Sequence, residues 1–131
     1  MTLDAGLASI ADERFVSLTT FRKSGVGVST PVWIARDGDA LIVTTPDGTG
    51  KVKRLRNSSR VELRPSTRMG TVADHARVVA AVAEIVDTDE ARSSQARIFL
   101  AKYRLQYRVF MFIERLGKKG QKKRVCLRIT A

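Results

Sequence analysis

One hundred and thirty-one residues, 44% of them apolar, suffice for one domain with a real core and are too apolar for a disordered chain. No apolar run approaches the roughly 18–20 residues of a membrane span. The single cysteine, Cys126, excludes an internal disulfide and a cysteine-rich metal site. Twenty-four Lys and Arg against 13 Asp and Glu give a charge of +11, so an anionic partner is expected: nucleic acid, an acidic cofactor or a membrane surface.

Leu3 to Ile10 has a short helical pattern, and its acidic Asp4 without a basic residue does not suit a secretory leader. A cytosolic setting is the simplest expectation. Phe15 to Phe21 alternates as a strand, and Lys23-Ser24-Gly25 turns it. Val26, Val28, Thr30, Val32 and Ile34 then share one face of a longer second strand. Pro31 inside that strand cannot donate to a ladder and marks an edge or a bulge. The main chain around it is left available for a flat ring, with Trp33 at its border; a plain edge strand fits equally.

Asp37-Gly38-Asp39 is a hairpin turn, and Leu41 to Thr45 is a third strand. Pro46, Asp47 and Gly48 turn the chain into a helix over Thr49 to Asn57, with Thr49 as N-cap. Lys51, Lys53 and Arg54 fall in its first turns. Free N–H groups, a hydroxyl and three cations at one helix start suit a phosphate. The same pattern fits a capped surface helix with solvated charges. A nucleotide-binding P-loop is excluded: position 45 is Thr45, and Lys51 precedes Val52 rather than Ser or Thr.

Arg60 to Arg64 is a fourth strand stopped by Pro65, and Ser66 to Ala76 is a polar loop. Arg77 to Val86 is a fifth strand. Asp87 and Glu90 resemble a capping box for a helix running to about Tyr103. Tyr107 to Leu116 is a second helical stretch ended by Gly117, with a continuous apolar block from Val109 to Ile113. Its aromatics suit a core or dimer contact; its interleaved basic residues leave weak membrane-surface contact open. Arg124 to Thr130 is a final strand. The whole chain, 1–131, reads as one domain, mainly β with peripheral helices (α+β): a six-stranded antiparallel barrel.

The basic residues are segregated: residues 50–70 hold seven basic and one acidic residue, and residues 102–128 hold ten and one. His75 is the only histidine and Cys126 has no ligand company, so no hydrolytic triad or metal site is expected. Few aromatics sit on strands where bases would stack, which disfavours a nucleic-acid barrel and specific nucleic-acid binding.

Phe15-Val16-Ser17-Leu18-Thr19-Thr20-Phe21-Arg22-Lys23, Ser29-Thr30-Pro31-Val32-Trp33 and Gly50-Lys51-Val52-Lys53-Arg54-Leu55-Arg56-Asn57 resemble the pyridoxamine-phosphate-oxidase-like split barrels. Within that superfamily the chain is most similar to the actinobacterial branch that uses the deazaflavin coenzyme F420. The resemblance implies a six-stranded split barrel and a homodimer with cofactor grooves between protomers. It implies that Thr49 and Lys51, beside Gly50 and Lys53, bind phosphate and that Arg54 contacts the cofactor. Thr44 and Thr45 would line the ring or ribityl chain, and the backbone of Thr30, Pro31 and Val32 would face the ring. FMN oxidases place arginines where this chain has Gly50 and Thr30, so coenzyme F420 is the expected cofactor and FMN the alternative. The implied activity is hydride transfer to an electron-poor small molecule; an FMN oxidoreductase and a cofactor carrier without turnover are the alternatives. Met69 to Arg77 does not follow the family pattern.

Overall fold

The computed structural model describes residues 3–109, 112 and 124–131. Asp4 caps a short helix, α1 (Ala5–Ala8), by accepting from Gly6 N at 3.0 Å and Leu7 N at 3.3 Å. Strand β1 (Val16–Phe21) is buried along its whole length. Gly25, at φ +90°, turns it into β2 (Gly27–Val32). The expected long second strand then breaks: β2 stops at Val32, and a separate β3 (Ala35–Asp37) begins after Trp33 and Ile34. Gly38, at φ +63°, makes the hairpin to β4 (Ala40–Pro46). Arg128 clasps both acids of that turn, Asp37 at 3.2 Å and Asp39 at 3.1 Å.

Helix α2 (Gly50–Asn57) buries Val52 and Leu55. Strands β5 (Arg60–Pro65) and β6 (Val79–Val86) are joined by the polar loop. Helix α3 (Asp89–Tyr103) follows, and residues 105–109 are helical again. Its cap is Thr88, not Asp87: the Thr88 hydroxyl accepts from Ala91 N at 3.1 Å. Asp87 is drawn instead, with Asp89, into ion pairs with Arg92. The rest of the expected helix from Tyr107 to Leu116, Phe112 excepted, and its Gly117 terminus lie outside the described residues. Strand β7 (Arg124–Thr130) ends the fold.

All seven strands form one antiparallel sheet in the order β2-β1-β5-β6-β7-β4-β3. The architecture is thus mainly β with few helices, and the sixfold strand count becomes seven because the second strand splits. β2 and β3 are opposite edges of this sheet. Flat, they would lie roughly 29 Å apart at ~4.8 Å per strand. Yet only Trp33 and Ile34 join them, and Val32 to Ala35 spans at most roughly 11 Å when extended. The sheet must therefore curl until its edges meet. The curl encloses the main core, with Leu18, Leu41, Leu63 and Leu127 inside and Leu7 and Ile10 of the N-terminal segment packed against them.

Helix α3 fixes the crossing point. Tyr103 Oη accepts from Ile34 N at 3.1 Å, and lies 2.7 Å from Arg14 O and 3.0 Å from Ile34 O, to either of which its single proton can be donated. Burial pushes its phenol up to about 12. Lys102 Nζ donates to the carbonyls of Ala11 at 3.0 Å, Glu13 at 2.6 Å and Ile34 at 2.5 Å. Ala11 and Glu13 precede β1 and Ile34 lies in the crossing between β2 and β3, so all three carbonyls stand outside the ladders.

Tyr103→Phe leaves the ring in place but removes the partner of Ile34 N. Stability should fall by about 1–3 kcal/mol, the cost of an unsatisfied buried group. A urea denaturation midpoint equal to that of the parent would show that the crossing holds without this hydroxyl.

Candidate functional site

The curl leaves a seam. β3 covers β4 only from Ala40 to Ile42. Beyond that, Val43 to Pro46 pair on one side alone, with β7. β2 pairs on one side alone, with β1. These two edges, one on β2 and one on β4, border a groove of about 730 Å³. It falls in the size range of small-molecule sites.

The groove brings together Pro31, Val32, Thr44, Thr45 and Lys51, all anticipated from the sequence. Pro31 sits on an edge strand, as its missing donor requires. Thr30 is placed differently. It stands opposite Leu18 on the core face of β2, and its hydroxyl is buried without a hydrogen-bond partner. Thr49 occupies the N-cap position, but its side chain makes no cap hydrogen bond; its hydroxyl lies 3.5 Å from that of Thr45. Lys53 is exposed on α2. Arg54 reaches back across the helix start, where its Nε donates to the buried Thr20 hydroxyl at 2.6 Å. That path runs over Gly50: a Cβ there would meet Arg54 Nη1 at 2.7 Å.

Lys51 is the electrostatic focus. Burial, then the nearby charges of Arg54 and Arg124, hold its ammonium below the usual lysine range. No described carboxylate acts on it. Arg124 is oriented by Thr44, donating Nε to the hydroxyl at 3.0 Å and Nη2 to the carbonyl at 3.3 Å. An anion placed there would relieve the repulsion.

Arg14, Phe15, Trp33 and Arg68 also line the groove. Of these, sequence reasoning singled out Trp33 alone for such a role. Trp33 stacks on Tyr103 with ring centroids 4.5 Å apart and planes 12° from parallel. Arg14 and Arg68 carry no local signal; they arrive on the segment before β1 and on the polar loop. Gly70, at φ +89°, brings that loop against Pro31, where its Cβ position lies 3.4 Å from the ring. His75 is exposed in the same loop. Cys126 lies under α3 with Phe99 and Tyr103, its thiol pushed up to about 11 by burial. Among the described residues no cluster of His, Cys, Asp and Glu could hold a metal, and no helix is long and apolar enough to cross a membrane.

Residues 3–131 match the family described as pyridoxamine 5'-phosphate oxidase. No curated protein matches the chain. Among solved structures it is similar to a conserved hypothetical protein from Mycobacterium tuberculosis, with 25% identity and a TM-score of 0.67 over 100% of this chain and 86% of that one. It is also similar to an F420 reductase, with 17% identity and a TM-score of 0.60 over 98% and 94% of the two chains. A FAD-binding protein from Mesorhizobium loti shares the fold at 16% identity and a TM-score of 0.61, over 99% and 89%.

A lysine whose folded pKa is depressed weakens the fold at pH below that pKa, and the penalty fades as pH rises toward the unfolded value of about 10.4. Lys51→Met should therefore melt at or slightly above the parent temperature at pH 7, within about 0.5 kcal/mol. The advantage should shrink between neutral pH and pH 10. A clear drop in melting temperature at pH 7 would contradict this account of Lys51.

Proposed function

The chain belongs to the pyridoxamine 5'-phosphate oxidase family, and we propose that it is a reductase dependent on the deazaflavin coenzyme F420. Its reaction is hydride transfer from the reduced cofactor to an electron-poor small organic molecule. The observation that carries this reading is the groove itself: an unneutralised Lys51 at a helix start, beside two incompletely paired strand edges. The donor set fits the cofactor's parts. Lys51 and the first turn of α2 would hold the phosphate. Thr44, Thr45 and Thr49 would meet the hydroxylated chain. The β2 edge from Thr30 to Val32 would face the ring.

Once bound, the deazaflavin supplies the hydride. The protein's part is orientation, electrostatics and exclusion of water. No acid–base pair is required of the side chains, in keeping with a groove whose described titratable residues are all cationic. FMN is the rival cofactor, because a phosphate at Lys51 suits both. Arg54 brings a guanidinium beside Gly50, where FMN oxidases carry an arginine, and that favours keeping FMN in the test. A carrier that binds cofactor without turnover uses the same residues. We take the working unit to be a homodimer in the cytoplasm. Leu105 lines the groove and is 71% exposed, and Phe112 is 61% exposed; a partner protomer would cover such surface.

Titration with oxidised deazaflavin, followed by its fluorescence, should show binding tighter than about 100 μM, or roughly −5.5 kcal/mol. No binding at that level sinks the reading, and a yellow protein as purified points to FMN instead. Lys51→Ala should weaken cofactor binding by roughly 1.5–3 kcal/mol, about ten- to a hundredfold, as for a hydrogen bond to a charged group. Unchanged affinity in an intact variant would remove Lys51 from the site. Light scattering should give twice the 14.5 kDa chain mass; a monomer at micromolar concentration would count against a shared groove.

A further inference from the structure

Two arginines act on Lys51, and each is moored by a threonine. Arg124 of β7 donates Nε to the Thr44 hydroxyl at 3.0 Å. Arg54 of α2 donates Nε to the Thr20 hydroxyl at 2.6 Å. The two moorings differ in place. Arg124 and Thr44 line the groove, whereas Arg54 and Thr20 are not among the described residues that line it. Thr20 is fully buried on β1, opposite Val28 of β2, so its hydroxyl is a fixed post. Beyond that post the Arg54 guanidinium lies against the first turn of α2, with Nη1 2.7 Å from the Cβ position of Gly50. Its charge acts on Lys51, the next residue. Asp47, the acid nearest to this turn in sequence, goes to Arg56 instead, at 3.5 Å.

We propose that Thr20 is a positioning residue for the anion site: its hydroxyl holds the Arg54 guanidinium beside Lys51 but outside the groove, where it adds positive charge to the phosphate end without touching the ligand. This rests on reading the Lys51 end as the cofactor's phosphate site. Three cations gathered at one place repel one another. An arginine free to move would swing toward water, where repulsion is screened and rotamer freedom is regained. A tether is needed to keep it there, and the chemistry of the tether matters. A carboxylate at position 20 would hold Arg54 and cancel its charge. A hydroxyl accepts one hydrogen bond from Nε, sets the direction of the guanidinium and leaves the charge in place. An anion entering the groove then meets a field already assembled, and Arg54 need not be ordered as it binds.

The probes are inorganic phosphate, followed through the amide resonances of Gly50 and Lys51, and oxidised deazaflavin, followed by its fluorescence. Thr20→Val keeps the shape and loses the hydroxyl; Thr20→Ser keeps the hydroxyl. Thr20→Val and Arg54→Gln should each weaken phosphate binding by about three- to tenfold, and the double variant should be no weaker than either alone, since both act through one guanidinium. Thr20→Ser should bind within about twofold of the parent. Melting temperatures report whether each fold is kept, and Thr20→Ala replaces the valine variant should that one not fold. The Lys51 side-chain resonances give a second readout, because Arg54 from α2 and Arg124 from β7 are the described charges that act on its ammonium. Its titration should move up toward the usual lysine range in Thr20→Val and in Arg54→Gln, and stay at the parent position in Thr20→Ser. Parent-like phosphate affinity in a folded Thr20→Val overturns the proposal. So does a loss that persists in the Arg54→Gln background, which would make Thr20 a packing residue, or a Lys51 titration that Thr20→Val leaves unmoved. Deazaflavin affinity should follow the same order across the variants. Failure of deazaflavin to bind, with the phosphate series intact, would overturn the cofactor reading and leave the role of Thr20 standing.

Discussion

Two residues, Trp33 and Ile34, carry the chain from one edge of a seven-stranded sheet to the other. Everything functional follows from that short reach. A flat sheet is forbidden, so the strands curl and close on a core of aliphatic side chains. Closure is incomplete because the chain cannot pair with both edges while it crosses between them. The strand edges left unpaired there form a groove rather than an aggregation-prone rim, since curvature turns them toward each other. The crossing has its own polar cost. Tyr103 and Lys102 meet it from α3 by supplying hydrogen bonds to carbonyls and an amide that no ladder reaches.

Much of this was legible in the chain. Alternation located most of the strands, Gly25 and Gly38 took the positive φ angles their turns demand, and Pro31 lay on an edge. The break at Trp33 was not legible. Val26 to Ile34 has one unbroken period, and what breaks it is a tyrosine hydroxyl and a lysine nearly seventy residues later. The cap of α3 shifted from Asp87 to Thr88 for a similar reason. Both residues cap well, and an arginine one turn into the helix draws the acids away. The candidate site divides along the same line. Lys51 was visible because a strand, a turn and a helix start are contiguous in sequence, and the two threonines of β4 only through the family resemblance. Arg14 and Arg68 were invisible because only closure of the sheet brings them to the groove.

Charge is distributed with the same logic. The ion pairs that stabilise surfaces lie away from the groove, as where Arg128 clasps a hairpin, Arg92 gathers two acids at the start of α3, and Arg60 meets Glu62. Exposed pairs of this kind are each worth little. Inside the groove the balance is reversed. Lys51 is partly desolvated and repelled by its neighbours. A fold under no other demand would have placed an acid nearby or a neutral residue at 51. An anion placed beside Lys51 would offset that repulsion.

Gly50 carries a less obvious consequence. Its missing side chain is the corridor through which Arg54 reaches Thr20. A methyl group at 50 would meet the guanidinium end of Arg54, with Nη1 2.7 Å away, and would make that end shift. Position 50 is therefore coupled to position 20 across the helix start, although neither touches the other through a hydrogen bond. A side chain at 50 thus acts on the buried Thr20 hydroxyl only through Arg54.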